Sequence, residues 1–125
     1  MNHQEQVASS INALGLDADL QNASISWIRD SARHNYSYNF NWMGRPIIQL
    51  PEDMIRMQEV FHQVRPTLVV ETGVAHGGSL IFYASLLKAM DIPGRIVGID
   101  VEVREENRRA REAHCPPALQ NVAPV

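Results

Sequence analysis

A chain of 125 residues is about one domain's worth, and 45% hydrophobic with 20% charged residues describes an ordinary globular protein, not a disordered one. A net charge of −3 and a pI near 5.9 exclude the basic face of a nucleic-acid binder, so no nucleic-acid partner is expected. One cysteine, Cys115, excludes an intrachain disulfide, and a polar start with no long apolar run excludes a signal peptide and a membrane span; a cytoplasmic protein is expected.

Residues 1–16 suggest a short helix that Gly15 would stop, and Leu20, Ile25, Trp27 and Ile28 give a moderate helical pattern from Asp17 to about Arg33. Tyr36, Tyr38, Phe40 and Trp42 then alternate with polar residues, which predicts an extended segment laying one aromatic face on the protein as a cover, with a ligand-facing lid as the alternative. Gly44-Arg45-Pro46 interrupts it, and Ile47-Ile48 is a short apolar run. Arg45 is a weak candidate for holding a carboxylate or phosphate. Pro51 suits a first helical position, Glu52 and Asp53 suit the first turn, and Met54, Met57, Phe61 and Val64 mark an amphipathic helix ending at Arg65-Pro66.

Thr67 to Glu71 predicts a strand buried on both faces, as in a parallel sheet. After a glycine-rich turn, Leu80 to Met90 is apolar nearly all round, with only Ser85 and Lys88 as a polar stripe, so this helix needs covering on most sides. Asp91 to Gly94 is a turn, Arg95 to Asp100 a second buried strand, and Glu105 to His114 a further helix, whose mixed Arg and Glu residues indicate a solvated face. Strand, helix, strand, helix predicts an α/β fold, the opening of a Rossmann-like parallel sheet with a right-handed crossover. The expected organisation is a helical and aromatic cover segment (1–50), a partial cofactor-binding domain (51–114) and a proline-rich tail (115–125).

The chemistry concentrates in Val70-Glu-Thr-Gly-Val-Ala-His-Gly-Gly-Ser79, between strand and helix, with Asp100 closing the next strand. Glycines let the backbone turn sharply and approach a ligand that a Cβ would exclude. The helix that follows offers free N–H groups at the carboxyl end of the sheet, where ligands bind in such folds. Asp100 lies 22 residues beyond Gly78, near the ~20 expected of an acid that accepts from ribose hydroxyls. A tight turn plus an unrelated surface aspartate is the purely structural alternative. Against a dinucleotide fingerprint, Ala75 replaces the middle glycine that admits a pyrophosphate, and Glu71 would face that diphosphate with like charge. S-adenosylmethionine carries no phosphate and offers an ammonium and a sulfonium that a carboxylate favours. His76 in the turn is a candidate base, with packing or solvent contact the more ordinary role, and the scattered histidines show no metal-ligand spacing, so no metal ligand is assigned.

Tyr38-Asn-Phe-Asn-Trp42-x-Gly44-Arg-Pro-Ile-Ile-Gln-Leu-Pro51, Glu71-Thr-Gly-Val-Ala-His-Gly-Gly-Ser79 and Gly98-Ile-Asp100 together resemble the cephalosporin hydroxylase family, over about Asp17 to His114. Despite its name, that family is similar to Rossmann-fold S-adenosylmethionine-dependent methyltransferases that O-methylate sugars and antibiotics. The resemblance implies that Glu71, Gly73, Gly77, Gly78 and Ser79 form the cofactor loop and that Asp100 binds the ribose. It implies a small-molecule substrate and, in the full-length family, a divalent metal such as magnesium, held by acidic residues beyond Val125. Two strands stand where such a sheet has about seven, and the prolines after Cys115 suit a third strand poorly. The chain is therefore expected to be cut short, inactive alone and prone to homo-oligomerise. An NAD(P)-dependent oxidoreductase and a non-catalytic fragment acting only by association are the competing readings.

Overall fold

The computed structural model describes residues 1–101; the expected helix at 105–114, the tail at 115–125 and Cys115 lie outside them. The described residues divide into two compact units, Met1–Tyr36 and a second that begins at Ser37.

The first unit is a helix pair, α1 (His3–Leu16) and α2 (Ala18–Ala32). Asn2 accepts from the Glu5 amide at 2.9 Å while the Glu5 carboxylate accepts from the Asn2 amide at 2.8 Å, a reciprocal cap that starts α1. Asp17 ends α1 and caps α2, accepting from the Leu20 amide at 2.9 Å. The stop thus falls two residues later than Gly15. Trp27 and Tyr36 meet edge to face at 4.9 Å.

A short 3-10 turn, Tyr36–Tyr38, leads into the second unit, which opens with a hairpin of β1 (Phe40–Trp42) and β2 (Arg45–Ile47). The strands are antiparallel with Trp42 opposite Arg45. The link is Met43-Gly44, both with positive φ (47° and 82°), the backbone that matches the twist of a two-residue hairpin. The alternating aromatic stretch is therefore extended only over its second half. Phe40 and Trp42 pack on the core as the expected cover, whereas Tyr38 is exposed.

Helix α3 (Pro51–Val64) opens with proline in its first turn and closes at Arg65 in the left-handed conformation. Phe61 is buried and Met54 and Met57 pack on the core, but Val64 is exposed, outside the stripe expected of it. The Arg65 guanidinium donates to the Met90 carbonyl at 3.1 Å, tying the ends of α3 and α4 together. Strand β3 (Leu68–Thr72), helix α4 (Gly78–Ala89) and strand β4 (Arg95–Ile99) follow, and β3 pairs with β4 in parallel. This is the α/β class expected.

Leu80, Ile81, Phe82, Tyr83 and Leu87 of α4 are buried, as its all-round apolarity requires. The sheet departs from expectation. Val69 packs against the core, while Leu68 and Val70, on the opposite face, are 51% and 54% exposed. Side chains alternate across a strand, and α4 and its neighbours cover one face only; the expected burial on both faces is not met among the described residues.

Candidate functional site

The turn from β3 into α4 is shaped by three left-handed residues at alternate positions, Gly73 (φ 79°), Ala75 (φ 46°) and Gly77 (φ 78°). Glycine takes this conformation freely, but alanine does so at a cost. The position that a dinucleotide fingerprint gives to glycine thus has a glycine-like backbone with a methyl group attached. A Cβ built on Gly73 would meet nothing within 4 Å, so the turn opens there onto free space. Gly78 is the reverse: a Cβ would lie 2.1 Å from the Pro46 carbonyl oxygen. The hairpin therefore rests directly on the first turn of α4, and only glycine permits that approach.

The contact makes the hairpin and the segment after it one wall of a cavity of about 210 Å³. Pro46, Ile47, Ile48 and Gln49 line one side; Glu71, Gly73, Val74, Ala75, His76, Gly78 and Ser79 line the other. The cavity is smaller than the roughly 300–1,000 Å³ of complete small-molecule sites, which suits one end of a larger ligand.

Glu71 sits on the helix-facing side of β3, in register with Gly98 of β4. Its Oε2 accepts from the Ser79 hydroxyl at 2.8 Å. Burial pushes the Glu71 carboxyl above its ordinary range, and the Ser79 hydrogen bond opposes that only in part. Nearby, the Tyr83 phenol is pushed up by burial and by the negative charge of Glu71, while a hydrogen bond from Gln49 opposes the rise. Tyr83 stacks on Phe61 with ring centres 5.5 Å apart.

Asp100 stands just past β4. Its Oδ2 accepts from the amides of Val74 and Ala75 at 2.8 and 3.1 Å, so it fixes the turn. Gly98 lets that turn approach the sheet, since a Cβ there would come within 2.7 Å of Val74 and 2.9 Å of Leu80.

Of the residues expected to form the cofactor loop, Glu71, Gly73, Gly78 and Ser79 line the cavity together; Gly77 is buried at the head of α4 and Asp100 braces the turn from below. Arg45, a candidate anion holder, donates to the His76 backbone carbonyl and so straps hairpin to turn. His76 itself is exposed. Gln49 and Tyr83 are the polar groups that sequence reasoning left without a role. Gln49 is uncharged and embedded in an apolar run, and Tyr83 hides in a helix that reads as uniformly hydrophobic. Among the described residues no group of three or more His, Cys, Asp or Glu gathers as a metal site, and no helix is long and apolar enough to cross a membrane.

A family model described as Rhamnosyl O-methyltransferase/CmcI matches residues 34–123. The curated Rhamnosyl O-methyltransferase of Mycobacterium leprae is 29% identical over 79 residues, which cover 62% of this chain and 34% of that protein. The protein of the same name from Mycobacterium tuberculosis strain H37Rv is 29% identical over 70 residues, or 56% of this chain and 29% of that one. The alignments thus span about a third of the curated relatives' length. A solved structure of cmcI with Mg-SAM superposes with a TM-score of 0.50 at 26% identity, covering 58% of this chain and 33% of that one. Another, of cmcI with SAH, gives 0.51 at 23% identity over 69% and 41%, a likeness of fold. The resemblance carried by the aromatic segment, the glycine turn and Asp100 is borne out: the chain belongs to the Rhamnosyl O-methyltransferase/CmcI family.

Proposed function

We propose that residues 37–101 are the cofactor-binding opening of an S-adenosylmethionine-dependent O-methyltransferase that acts on a hydroxyl of a sugar or similar small metabolite. The observation that carries this reading is the Glu71–Ser79 pair beside the open turn at Gly73, on the wall of a cavity lined by no lysine or arginine. A carboxylate there opposes a diphosphate and favours the ammonium of an amino-acid moiety. Family membership and the cmcI neighbour with Mg-SAM support the same cofactor and a role for magnesium in the whole protein.

In this scheme Glu71, with Ser79 holding one of its oxygens, draws in the amino-acid end. Gly73 leaves room for the ligand to pass the turn, and Gly77 and Gly78 set the direction of α4. Asp100 fixes the turn and accepts from the ribose hydroxyls. The cofactor, when bound, supplies an activated methyl group to a hydroxyl presented in line, and holding the two reactants together accounts for much of the rate.

Calorimetric titration of the chain with S-adenosylmethionine, S-adenosylhomocysteine and NAD tests the assignment. Saturable binding of the first two in preference to NAD is expected. Tighter binding of NAD would overturn it in favour of a nucleotide-dependent oxidoreductase.

A further inference from the structure

The amide of Gln49 is held in an unusual state. Its side chain hydrogen-bonds the Tyr83 phenol, yet its Oε1 is buried and has no partner. A glutamine side chain has one acceptor oxygen and two N–H donors. With the donor end turned to Tyr83, the acceptor end needs a donor from elsewhere. A buried acceptor left unmatched is costly, and such groups in native proteins call for an explanation.

The surroundings say what kind of donor fits. Gln49 lines the same cavity as Glu71, and the charge of Glu71 is felt at the very phenol that Gln49 contacts. Glu71 and Gln49 therefore line one cavity, and both bear on the Tyr83 phenol beside it. Ionised Glu71 only accepts hydrogen bonds, and the unmatched Oε1 of Gln49 only accepts them. Two acceptors in a cavity lined by no lysine or arginine disfavour a carboxylate or phosphate and suit a group carrying several N–H donors and a positive charge.

We infer that Gln49 Oε1 and the Glu71 carboxylate form a primary-ammonium subsite, with Tyr83 as the positioning residue that keeps the Gln49 carbonyl turned toward the ligand. The inference rests on the proposed S-adenosylmethionine reading and deepens it: the subsite selects the α-ammonium of the cofactor's amino-acid moiety. An ammonium has three donors, so one can meet Glu71 and a second Gln49 while Ser79 keeps its own bond to Glu71.

The test compares S-adenosylhomocysteine with 5′-methylthioadenosine, which shares the nucleoside thioether but lacks the ammonium, on the full chain by calorimetry. In Q49L, homocysteine-ligand affinity should fall roughly ten- to hundred-fold, the worth of a hydrogen bond to a charged group, while 5′-methylthioadenosine affinity stays within about twofold. Q49E keeps an acceptor and adds charge, so it should hold or tighten the first ligand. Y83F should weaken it less than Q49L does, because the acceptor remains but is no longer aimed. Equal loss for both ligands in Q49L, or no loss for either, overturns the subsite and leaves the cofactor reading standing. Failure of the unmodified chain to bind either ligand overturns both.

Discussion

Glu71 is a carboxylate raised by burial, with a sign that can be worked out. A carboxyl whose folded pKa lies above its unfolded value binds its proton more tightly when folded. Its favourable contribution is complete below the ordinary carboxylate range and is lost as pH rises through the raised value. At neutral pH the charge is therefore carried at a cost to the unliganded protein. E71Q should raise the melting midpoint at pH 7, the advantage closing as pH falls through the raised pKa, and should weaken S-adenosylmethionine binding at pH 7. Thermal unfolding between pH 4 and 8, alongside calorimetry, checks both; a lower midpoint at pH 7 would mean that Glu71 stabilises the empty site. At this scale the carboxylate, the glycines and Ser79 were legible because charge and missing Cβ atoms leave marks in a sequence. Gln49 left none, since its role depends on a burial that only the folded hairpin creates. Asp100 drew notice as a candidate ribose acid, whereas the role the structure displays, its grip on the Val74 and Ala75 amides, left no mark in the sequence.

Among the elements, the helices and the two parallel strands follow from periodicity and from where Pro51, Pro66 and Gly94 stand. The hairpin does not. Alternation marks β1 as extended, but β2 is three residues long, too short for a pattern to register, and the turn puts a methionine at a left-handed position where Asn or Gly is the usual sign. What fixes it is tertiary. Trp42 donates to the Ser85 hydroxyl at 3.0 Å and meets Phe82 edge to face at 4.9 Å. Ser85, expected in a polar stripe, is thus a docking point for the hairpin. W42F keeps the ring contact and removes the donor, and should cost about 1 kcal/mol. With S85A in a double-mutant cycle, a coupling of roughly 0.5–1.5 kcal/mol is expected from urea midpoints. Zero coupling would assign the docking to ring packing alone.

On the scale of the whole molecule, the parallel pair of strands among the described residues leaves Leu68, Val70 and, at 36% exposure, Ile99 exposed on one face. The apolar character of these strand positions is legible in the sequence and calls for a covering layer, since parallel sheets are as a rule buried on both sides, and the proline-rich stretch after Cys115 is a poor source of one. The 125-residue chain should therefore self-associate with rising concentration, and L68T/V70T should shift it toward the monomer, as read by light scattering. A wild-type chain that stays monomeric at high concentration would show that this face is tolerated in water. The meeting of hairpin and helix at Gly78 bears on how such a molecule diverges. Because one backbone lies against another there, the separation of hairpin and helix is fixed, and the lineage can reshape that side of the cavity only through the side chains that follow it, Ile48 and Gln49 among them.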